Sequence, residues 1–453
     1  MKFESKIFKD YDIRGHFPEE INPQTFKIIA QELFLFFKPK IVAIGRDMRP
    51  SGEELSLAMM DGFLRMGADV VDLGLITTDM IYFAGGKYNY DLNIVITGSH
   101  AEKENGFKIC KKGAIAISGE TGLYQVRDRL LKRKKFPTIK TSGEITNQDI
   151  LDDWLKHSLT FIELKKIKPF KIVIDTGNGM GGLVIPRIIK AMPGKFICLY
   201  PEIDGTFPNH FPNPLIEKNL SDIKKKIKEV KAEFGIAFDA DGDRAFFIDE
   251  KGKTVSGSAL TAIIAKSILK RYPKETILYN AICSQAVPEI IKEHGGKPVR
   301  VRVGHSPIKQ KMRELNAIFA GEHSGHFYFR DNYYADSGLI AVLEAIELFS
   351  EDGRKLSQIV ADVEKYAASG EINFKVPDRE KIIKQIEEKY KNKAKIDKLD
   401  GITVEFKDYW FNIRPSHTEL LIRLNLEANN QKLMKKKLKN VINEIENLGG
   451  NKT

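Results

Sequence analysis

The stretch KIVAIGRDMRPSGEELSLAMMDGFLRMGADVVDLG, residues 40–74, holds two short apolar runs on either side of an amphipathic segment. The runs at 40–45 and 68–74 are short and rich in β-branched residues, which favours buried strands. The segment between them, 51–67, carries apolar residues at helical spacing. A third run of the first kind follows at 92–98. Strands that alternate with helices predict βαβ units and a parallel or mixed sheet, hence an α/β fold.

The same alternation continues along the chain and divides it into four units. A polar, basic segment at 133–147 closes the first unit, and FKIVIDTGNGMGG (170–182) opens the strands of the second. The third begins near residue 254 with a helical pattern, and the tail from residue 370 shows successive strand patterns before a Lys-rich helix. The predicted domain boundaries are 1–147, 148–252, 253–368 and 369–453.

The composition favours a soluble globular protein, with 42% hydrophobic and 29% charged residues. No apolar segment approaches the roughly 20 residues that a membrane helix needs, and the N-terminal residues contain no apolar signal region. The cysteines, Cys110, Cys198 and Cys283, form no C-x-x-C pair, which argues against a disulfide framework or a cysteine zinc site. We therefore expect a cytoplasmic protein without a membrane partner.

The net charge of +11 comes largely from Lys-rich runs such as 130–135, 223–231 and 433–441. Apolar residues recur at helical spacing through the last two runs, so their lysines are interpreted as solvated outer faces. The runs lack the interleaved aromatic residues of a nucleic-acid surface. We expect no nucleic-acid partner, and a basic protein that handles anionic metabolites fits the charge equally well. The sequence leaves the oligomeric state open.

A serine lies just beyond the third apolar run, in the stretch TGSH (97–100). The carboxyl end of a strand is where open α/β sheets place their ligands, so the Ser99 hydroxyl is a candidate nucleophile. Serines are also common in turns, because their hydroxyl groups bond to neighbouring backbone groups. This segment alone leaves both interpretations open.

The stretch FDADGDRAFFID (238–249) places three aspartates at alternate positions in a tight loop between two apolar runs. Asp239, Asp241 and Asp243 repel one another when forced together, unless a cation neutralises them. Hard oxygen ligands of this kind suit Mg²⁺, which keeps open positions for water or a phosphoryl oxygen. A polar hairpin turn is the alternative, although three aspartates exceed what a turn requires.

A glycine pattern in IDTGNGMGG (174–182) supports a different function. Gly177, Gly179 and Gly182 follow a strand in the G-x-G-x-x-G register of dinucleotide-binding sites, which would fit a nicotinamide-dependent oxidoreductase. A lone match is weak evidence, because a tight strand-to-helix turn also needs small residues. We favour the turn.

The stretch GEHSGH (321–326) gathers a carboxylate, a hydroxyl and imidazoles between two apolar flanks. Glu322 and Ser324 suit hydrogen bonding to vicinal sugar hydroxyls, and His326 is a residue type that moves protons near neutral pH. His305 begins a helical pattern at 303–309 and adds another imidazole.

The stretch RPSHTE (414–419) forms a tight turn between two strand patterns. A forked guanidinium from Arg414, with hydroxyl and backbone N–H donors, makes a cradle for a phosphate dianion. An ordinary polar hairpin would be preferred if this turn stood alone.

These four motifs, TGSH, DADGDR, GEHSGH and RPSHTE, occur in this order in one chain. The combination resembles the α-D-phosphohexomutase superfamily, specifically its phosphomannomutase/phosphoglucomutase branch. The resemblance extends from FKDYDIRG (8–15) to RLNLEA (423–428). It implies three similar mixed-sheet α/β domains and a smaller α+β C-terminal domain around a central cleft.

The resemblance also implies a role for each matching residue. Ser99 matches the serine that carries the phosphoryl group, and Asp239, Asp241 and Asp243 match the Mg²⁺ ligands, with Ser99 completing the site. The implied catalytic residues are Ser99, His100, Lys108, Arg14 and His326. The implied substrate-binding residues are Tyr11, Arg244, His305, Glu322, Ser324, Arg414, Ser416, His417 and Thr418.

The implied activity interconverts hexose 1-phosphate and hexose 6-phosphate, of mannose or glucose, through a phosphoserine enzyme and a hexose 1,6-bisphosphate intermediate. A phosphoglucosamine or N-acetylglucosamine-phosphate mutase is the alternative within the same fold. A non-catalytic phosphosugar-binding protein is the alternative of another class. It is suggested by two departures from the family pattern, Ala101 after TGSH in place of Asn and Ile282 in place of a basic residue. Further departures are Glu102 in place of Pro, His417 in place of Asn or Gly, and Leu420 in place of Pro.

Overall fold

The computed structural model of the chain describes residues 3–88, 90–99, 103–416 and 421–453. These residues form four consecutive sheets, which define domains I to IV. The predicted α/β fold is confirmed, whereas the boundaries at 147, 252 and 368 stay predictions. The predicted site residues His100, His417 and Thr418 lie outside the described residues, as do the departures at 101, 102 and 420.

Domain I is a mixed sheet with helices packed on it. Its strands are β1 (Ile13–His16), β2 (Ile41–Arg46), β3 (Asp69–Leu75), β4 (Leu92–Ile96), β5 (Glu104–Lys111), β6 (Ile115–Ala116) and β7 (Ile145–Asn147). Its helices are α1 (Pro23–Phe37), α2 (Gly52–Leu64), α3 (Thr78–Lys87) and α4 (Tyr124–Lys132). The order is β1-β5-β4-β2-β3-β7, in which β5 runs antiparallel to its neighbours β1 and β4. Every residue of β4 is buried, as in a central strand covered on both faces.

Domain II repeats the plan on a smaller sheet. Its strands are β8 (Lys171–Asp175), β9 (Lys195–Leu199), β10 (Phe234–Phe238) and β11 (Ala245–Asp249). Its helices are α5 (Leu151–Leu159), α6 (Gly181–Ile188) and α7 (Ser221–Val230). The order is β11-β10-β8-β9, with β10 and β11 forming an antiparallel hairpin and the other pairs parallel. The hairpin turn carries the three aspartates.

Domain III has the third mixed sheet. Its strands are β12 (Thr276–Asn280), β13 (Lys297–Val301), β14 (Phe319–Gly321), β15 (Phe327–Phe329) and β16 (Ala335–Asp336). Its helices are α8 (Gly257–Arg271), α9 (Ala286–Glu293), α10 (His305–Leu315), α11 (Gly338–Asp352) and α12 (Leu356–Ala361). Ser256 and Ser337 begin α8 and α11 by accepting hydrogen bonds from the backbone N–H groups of Ala259 and Ile340. The antiparallel turn between β14 and β15 carries the GEHSGH motif.

Domain IV is an antiparallel sheet with two helices in its described part. Its strands are β17 (Ala367–Lys375), β18 (Lys395–Asp397), β19 (Ile402–Glu405), β20 (Tyr409–Pro415), β21 (Leu421–Ala428) and β22 (Asn451–Lys452). Its helices are α13 (Arg379–Tyr390) and α14 (Gln431–Asn447). The order is β18-β19-β20-β21-β17-β22, in which β20 and β21 are antiparallel partners. The described residues of the RPSHTE motif, Arg414, Pro415 and Ser416, lie at the end of β20.

A continuous apolar core joins the first three domains. It includes Phe83 of domain I, Phe234 of domain II and Phe319 of domain III. Domain IV packs around a separate core that includes Phe411. This division leaves a space between domains III and IV, where a cavity of about 720 Å³ is lined by Ile282 and Glu371 among others. Within the described residues, no helix has the length and apolar character that crossing a bilayer requires.

Candidate active site

Ser99 lies in a tight loop beyond the carboxyl end of β4. Its side chain is buried, and its backbone has a φ of 50°, a left-handed conformation that residues other than glycine rarely adopt. Its N–H donates to Oγ1 of Thr97 at 2.9 Å, and its carbonyl accepts from Nη2 of Arg49 at 2.7 Å. Contacts on both sides therefore hold the serine in a strained backbone conformation, a feature that clusters at functional sites.

The structure brings the three aspartates of the β10–β11 turn together. Asp239, Asp241 and Asp243 each offer a carboxylate oxygen within 4.8 Å of the others, and all three residues are buried. Lys108, from β5 of domain I, enters this cluster from the side. Its Nζ lies 2.9 Å from Oδ2 of Asp241 and 2.6 Å from Oδ2 of Asp243. Residues of two domains thus form one charged cluster.

Two threonines of domain I, Thr78 and Thr97, form hydrogen bonds with the β10–β11 turn of domain II. Thr78, the first residue of α3, donates its hydroxyl to Oδ2 of Asp241 at 2.6 Å, and its N–H donates to the Asp241 carbonyl at 2.9 Å. Thr97 donates its hydroxyl to the same Oδ2 at 3.4 Å while it accepts from the Ser99 N–H. One threonine therefore connects the serine loop directly to the aspartates.

The cluster has the electrostatics of a cation site. Burial, together with the like charges of Asp241 and Asp243, raises the pKa of Asp239 to about 8 against the opposing effect of Arg244. Burial also disfavours the charged form of Asp241, but Lys108 and Thr78 outweigh it and hold that pKa below its usual range. Oδ1 of Asp241 and Oδ1 of Asp243 are buried without a hydrogen-bond partner among the described residues. Unpartnered hard oxygens beside a third carboxylate fit a divalent cation of the Mg²⁺ type.

His326 lies next to the aspartates and is held by an acid that sequence patterns missed. Its Nδ1 is 2.9 Å from Oδ2 of Asp336 and 3.9 Å from Oδ1 of Asp243. Burial opposes protonation of the ring, but these two carboxylates prevail and raise the pKa of His326. Asp336 also pairs with the buried Lys309, at 2.7 Å.

Glu322 is buried at the end of β14, close to His326. Its N–H donates to the His326 carbonyl at 2.9 Å, and its Oε2 accepts from Nδ2 of Asn280 at 3.0 Å. The hydroxyl of Tyr328 donates to its other carboxylate oxygen. Its carboxylate is therefore fixed in orientation, and Ser324 lies half-buried in the turn that follows.

Four further predicted residues line the same region. Arg14 donates to Oδ2 of Asp12 at 2.8 Å and keeps a buried Nε without a hydrogen-bond partner among the described residues. Tyr11 donates to the Val303 carbonyl at 3.0 Å, and its ring lies edge-on to that of His305, with centroids 5.7 Å apart. Arg244 donates its Nε to Asp239 at 2.7 Å.

In domain IV the structure places Arg414 and Ser416 at the end of β20. Arg414 is buried, and its Nη2 donates to Oε2 of Glu371 at 2.8 Å. Ser416 closes the hairpin by donating its N–H to the Leu421 carbonyl at 2.8 Å. Glu371 also lies 4.0 Å from Nε2 of His323 in the GEHSGH turn, which brings the fourth motif against the third.

Contacts therefore link all four motifs across four domains. Thr97 of the serine loop donates to Asp241, and Asp243 lies near His326 of the GEHSGH turn. Glu371 then lies between His323 of the same turn and Arg414. The departure at Ile282 is buried at the start of the segment after β12, and its side chain lines the cavity between domains III and IV.

The glycine pattern of domain II has a packing role in the structure. A Cβ on Gly182 would lie 2.2 Å from the Pro201 carbonyl oxygen, so no larger residue fits there. Met180, two residues earlier, donates its N–H to the Ala240 carbonyl at 2.8 Å. The turn that carries the glycines thus packs against the aspartate loop and forms a backbone hydrogen bond with it.

Sequence patterns missed Thr78, Asp336 and Glu371, each of which contacts a predicted site residue, and Lys309, which pairs with Asp336. None of them lies in a recognisable motif. Buried acids in short apolar segments, such as Asp336 after YYA, were the available signal, because a buried carboxylate needs a partner.

Family models match nearly the whole chain. They are described as phosphoglucomutase/phosphomannomutase α/β/α domains I, II and III and C-terminal domain, and they match residues 5–135, 152–252, 256–366 and 371–444. The chain belongs to the phosphoglucomutase/phosphomannomutase family. The family predicted from the four motifs is confirmed, and with it the enzyme class, a phosphohexomutase.

Individual relatives agree with this family. The chain is 38% identical to a phosphomannomutase of Methanocaldococcus jannaschii, over 98% of each chain. A solved phosphoglucomutase/phosphomannomutase family protein from Burkholderia thailandensis is 30% identical, with a TM-score of 0.90 over 100% of both chains. An N-acetylphosphoglucosamine mutase of Aspergillus fumigatus is 12% identical, with a TM-score of 0.64 over 99% of this chain and 96% of that one. This last likeness shows the fold alone.

Proposed function

We propose that this phosphohexomutase interconverts the 1- and 6-phosphates of mannose and glucose through a phosphoserine at Ser99 and a hexose 1,6-bisphosphate. The observation that supports the proposal is that the Thr97 hydroxyl joins the two parts of the site, since it accepts from the Ser99 backbone N–H and donates to Asp241. A phosphoryl group on Ser99 would lie beside these carboxylates, an arrangement that is electrostatically unfavourable without a cation.

The residues that would hold Mg²⁺ are Asp239, Asp241 and Asp243, with a phosphate oxygen on Ser99. Bound there, Mg²⁺ would neutralise charge on the phosphoryl group. The unpartnered Oδ1 atoms of Asp241 and Asp243 support this assignment.

The chain's own residues would manage the transfer. The bond between Ser99 Oγ and phosphorus breaks while a bond forms from a free sugar hydroxyl to phosphorus. The hydroxyl proton passes to His326 or His100, and the departing Ser99 oxygen takes up a proton to become a free hydroxyl. Lys108 and Arg14 supply positive charge near the transferring group, in which catalysis depends mainly on positioning and electrostatics. The reverse transfer, from the other end of the bisphosphate, restores the phosphoserine.

The motifs of domains III and IV would bind the sugar phosphate. Glu322 and Ser324 would bind the sugar hydroxyls, while Arg414 and Ser416, with His417 and Thr418, would hold the phosphate that is not transferred. Tyr11, Arg244 and His305 would complete the walls of the cleft. Because the sugar must react at both ends, these groups have to accept it in two orientations.

The test follows phosphorus NMR of the purified chain with Mg²⁺ and a trace of glucose 1,6-bisphosphate. Mannose 1-phosphate, glucose 1-phosphate and N-acetylglucosamine 1-phosphate are supplied separately. We expect the first two to become 6-phosphates, and Ser99→Ala to abolish the conversion. Ser142→Ala, which changes an exposed serine of the same domain, is the matched control.

Conversion of N-acetylglucosamine 1-phosphate alone would instead indicate an N-acetylglucosamine-phosphate mutase, the alternative within the same fold. Failure to convert any sugar, with no phosphate retained on Ser99, would contradict the proposal. That result would leave a phosphosugar-binding protein.

A further inference from the structure

A pair of arginines lies at the base of the phosphate-binding hairpin. Arg414 on β20 and Arg423 on β21 are direct cross-strand partners. They form the pair next to Pro415 and Ile422, the last pair of the ladder between these strands. Like charges that face each other directly across a sheet destabilise it. This arrangement therefore needs an anion close by.

Glu371 supplies that anion from the adjacent strand. Its Oε2 accepts from Nη2 of Arg414 at 2.8 Å, and its Oε1 lies 3.2 Å from Nη1 of Arg423. A register shift between Ala368 and Glu371, with Gly370 at a φ of 71°, interrupts the pairing of β17 with β21 just before the glutamate. Such a bulge re-aims the side chains that follow it.

The side chain of Glu371 is 24% exposed, and its carboxylate is held in the charged form. Burial opposes its ionisation, but Arg414 and Arg423 prevail and hold its pKa below the usual range. On its other side, His323 of the GEHSGH turn has its Nε2 4.0 Å from Oε2. Glu371 therefore lies between the sugar-binding turn and the arginines.

The Nε–H group of Arg414 is available to donate to a ligand in this arrangement. Its side chain is 3% exposed, and its Nε has no hydrogen-bond partner among the described residues. A guanidinium that is already oriented loses less freedom when it binds an anion, which strengthens the binding. The orientation of this group is set by Glu371.

We propose that Glu371 is a positioning residue that fixes the guanidinium groups of Arg414 and Arg423 for the phosphate that is not transferred. The inference rests on the proposed function. Without the carboxylate, Arg414 and Arg423 lose the anion that bridges them, and the Nε–H of Arg414 is held less firmly in its orientation.

The test compares Glu371→Gln and Glu371→Asp with the wild-type chain. Glu444→Gln, which removes a carboxylate paired with Lys389 elsewhere in domain IV, is the matched control. Steady-state kinetics with glucose 1-phosphate gives KM and kcat, and calorimetric titration of inorganic phosphate in the presence of a chelator gives Kd without turnover. Thermal unfolding verifies that each variant is folded.

We expect Glu371→Gln to raise both KM and Kd about tenfold, a typical size for the loss of a residue that orients a ligand-binding group, while kcat changes much less. The shorter Glu371→Asp keeps the charge and should fall between wild type and Gln. The control should match wild type. A KM-specific change separates positioning from a general loss of folded protein.

Unchanged Kd in Glu371→Gln would overturn the proposal, and so would tighter binding, since that result would mean that the carboxylate competes with phosphate. If Glu371→Gln does not fold, unchanged Kd in Glu371→Asp would overturn it instead. A wild-type chain without mutase turnover contradicts the proposed function, whereas the phosphate titration still tests Glu371.

Discussion

Lys108 bridges two buried carboxylates, Asp241 and Asp243, and so stabilises the aspartate cluster. Lys108→Met keeps the length of the side chain but removes its charge. Breaking a buried ion pair costs about 3–5 kcal/mol, so we expect the free energy of unfolding to fall by that order in a chelator. Mg²⁺ should restore part of the loss, because a ligand that binds only the folded state stabilises it.

Urea unfolding with chelator and with Mg²⁺ measures both effects. Lys111→Met, at an exposed lysine of the same strand, is the control. A Lys108→Met chain that is no more stable with Mg²⁺ than with chelator would contradict a cation site in the cluster.

His157 is packed where helix α5 meets domains I and III. Its ring centroid is 5.1 Å from that of Phe83 and 5.7 Å from that of Tyr333, and its Nε2 is 3.1 Å from Oδ1 of Asn332. Burial, assisted by Lys87, lowers the pKa of His157 below 6.5, against the opposing effects of Asn332 and Asp331. The folded chain therefore binds this proton less readily than the unfolded chain.

Stability should consequently fall as pH drops below the unfolded-state pKa of about 6.5, and be regained above it. His157→Gln should remove this contribution, which is at most about 1.4 kcal/mol per pH unit for one proton. Urea unfolding across this pH range measures the difference, with His16→Gln at an exposed histidine as control. Parallel pH profiles for His157→Gln and wild type would refute the expectation.

The turn from β8 into α6 depends on close backbone packing. A Cβ on Gly182 would meet the Pro201 carbonyl oxygen at 2.2 Å, whereas a Cβ on Gly52, at the start of α2, would meet nothing closer than 3.4 Å. We expect Gly182→Ala to destabilise the chain by about 1–3 kcal/mol through overpacking. Gly52→Ala should be neutral or slightly stabilising. Urea unfolding of the two variants decides the matter, and equal stabilities would contradict the packing argument.

Across the four domains, an arginine connects the third to the fourth. Arg300 on β13 donates its Nη1 to Oδ2 of Asp397 at 2.9 Å and to Oε1 of Glu405 at 3.1 Å, both in domain IV. Its Nη2 donates to Oγ1 of Thr403 at 3.0 Å. Because domain IV has its own core, polar contacts of this kind help to fix its position.

Arg300→Gln should therefore loosen domain IV without unfolding it. We expect cleavage by a protease in the segment before β17 to become several-fold faster, and the radius of gyration in X-ray scattering to rise. Arg354→Gln, at an arginine whose partners Asp352 and Asp362 lie in domain III, is the control. Identical cleavage of both variants would exclude a linking role for Arg300.

Local patterns predicted the elements well where a strand is buried on both faces. The run TILYN, for example, is β12, and LNIVI is β4. Such strands form apolar runs that stand out from their surroundings. The four motifs were also found, because each one concentrates unusual residue types in a short loop.

The partners of these motifs could not be predicted in the same way. Lys108 touches Asp243 across 135 positions of sequence, and Ser337 reaches Asp79 across 258. Glu371 lies in a strand with no distinctive pattern, directly after a register shift in the pairing of β17 with β21. Contacts of this kind depend on how the domains pack.

The sequence by itself determined the α/β class, the four units and the chemical type of each motif, because the periods of strands and helices and the composition of loops are local properties. Only the tertiary structure decided that Lys108 neutralises Asp241 and Asp243, that Asp336 holds His326 and that Glu371 holds Arg414. Hydrogen bonds and buried ion pairs act over a few ångströms, so their partners are set by the packing of distant segments rather than by their neighbours in the chain.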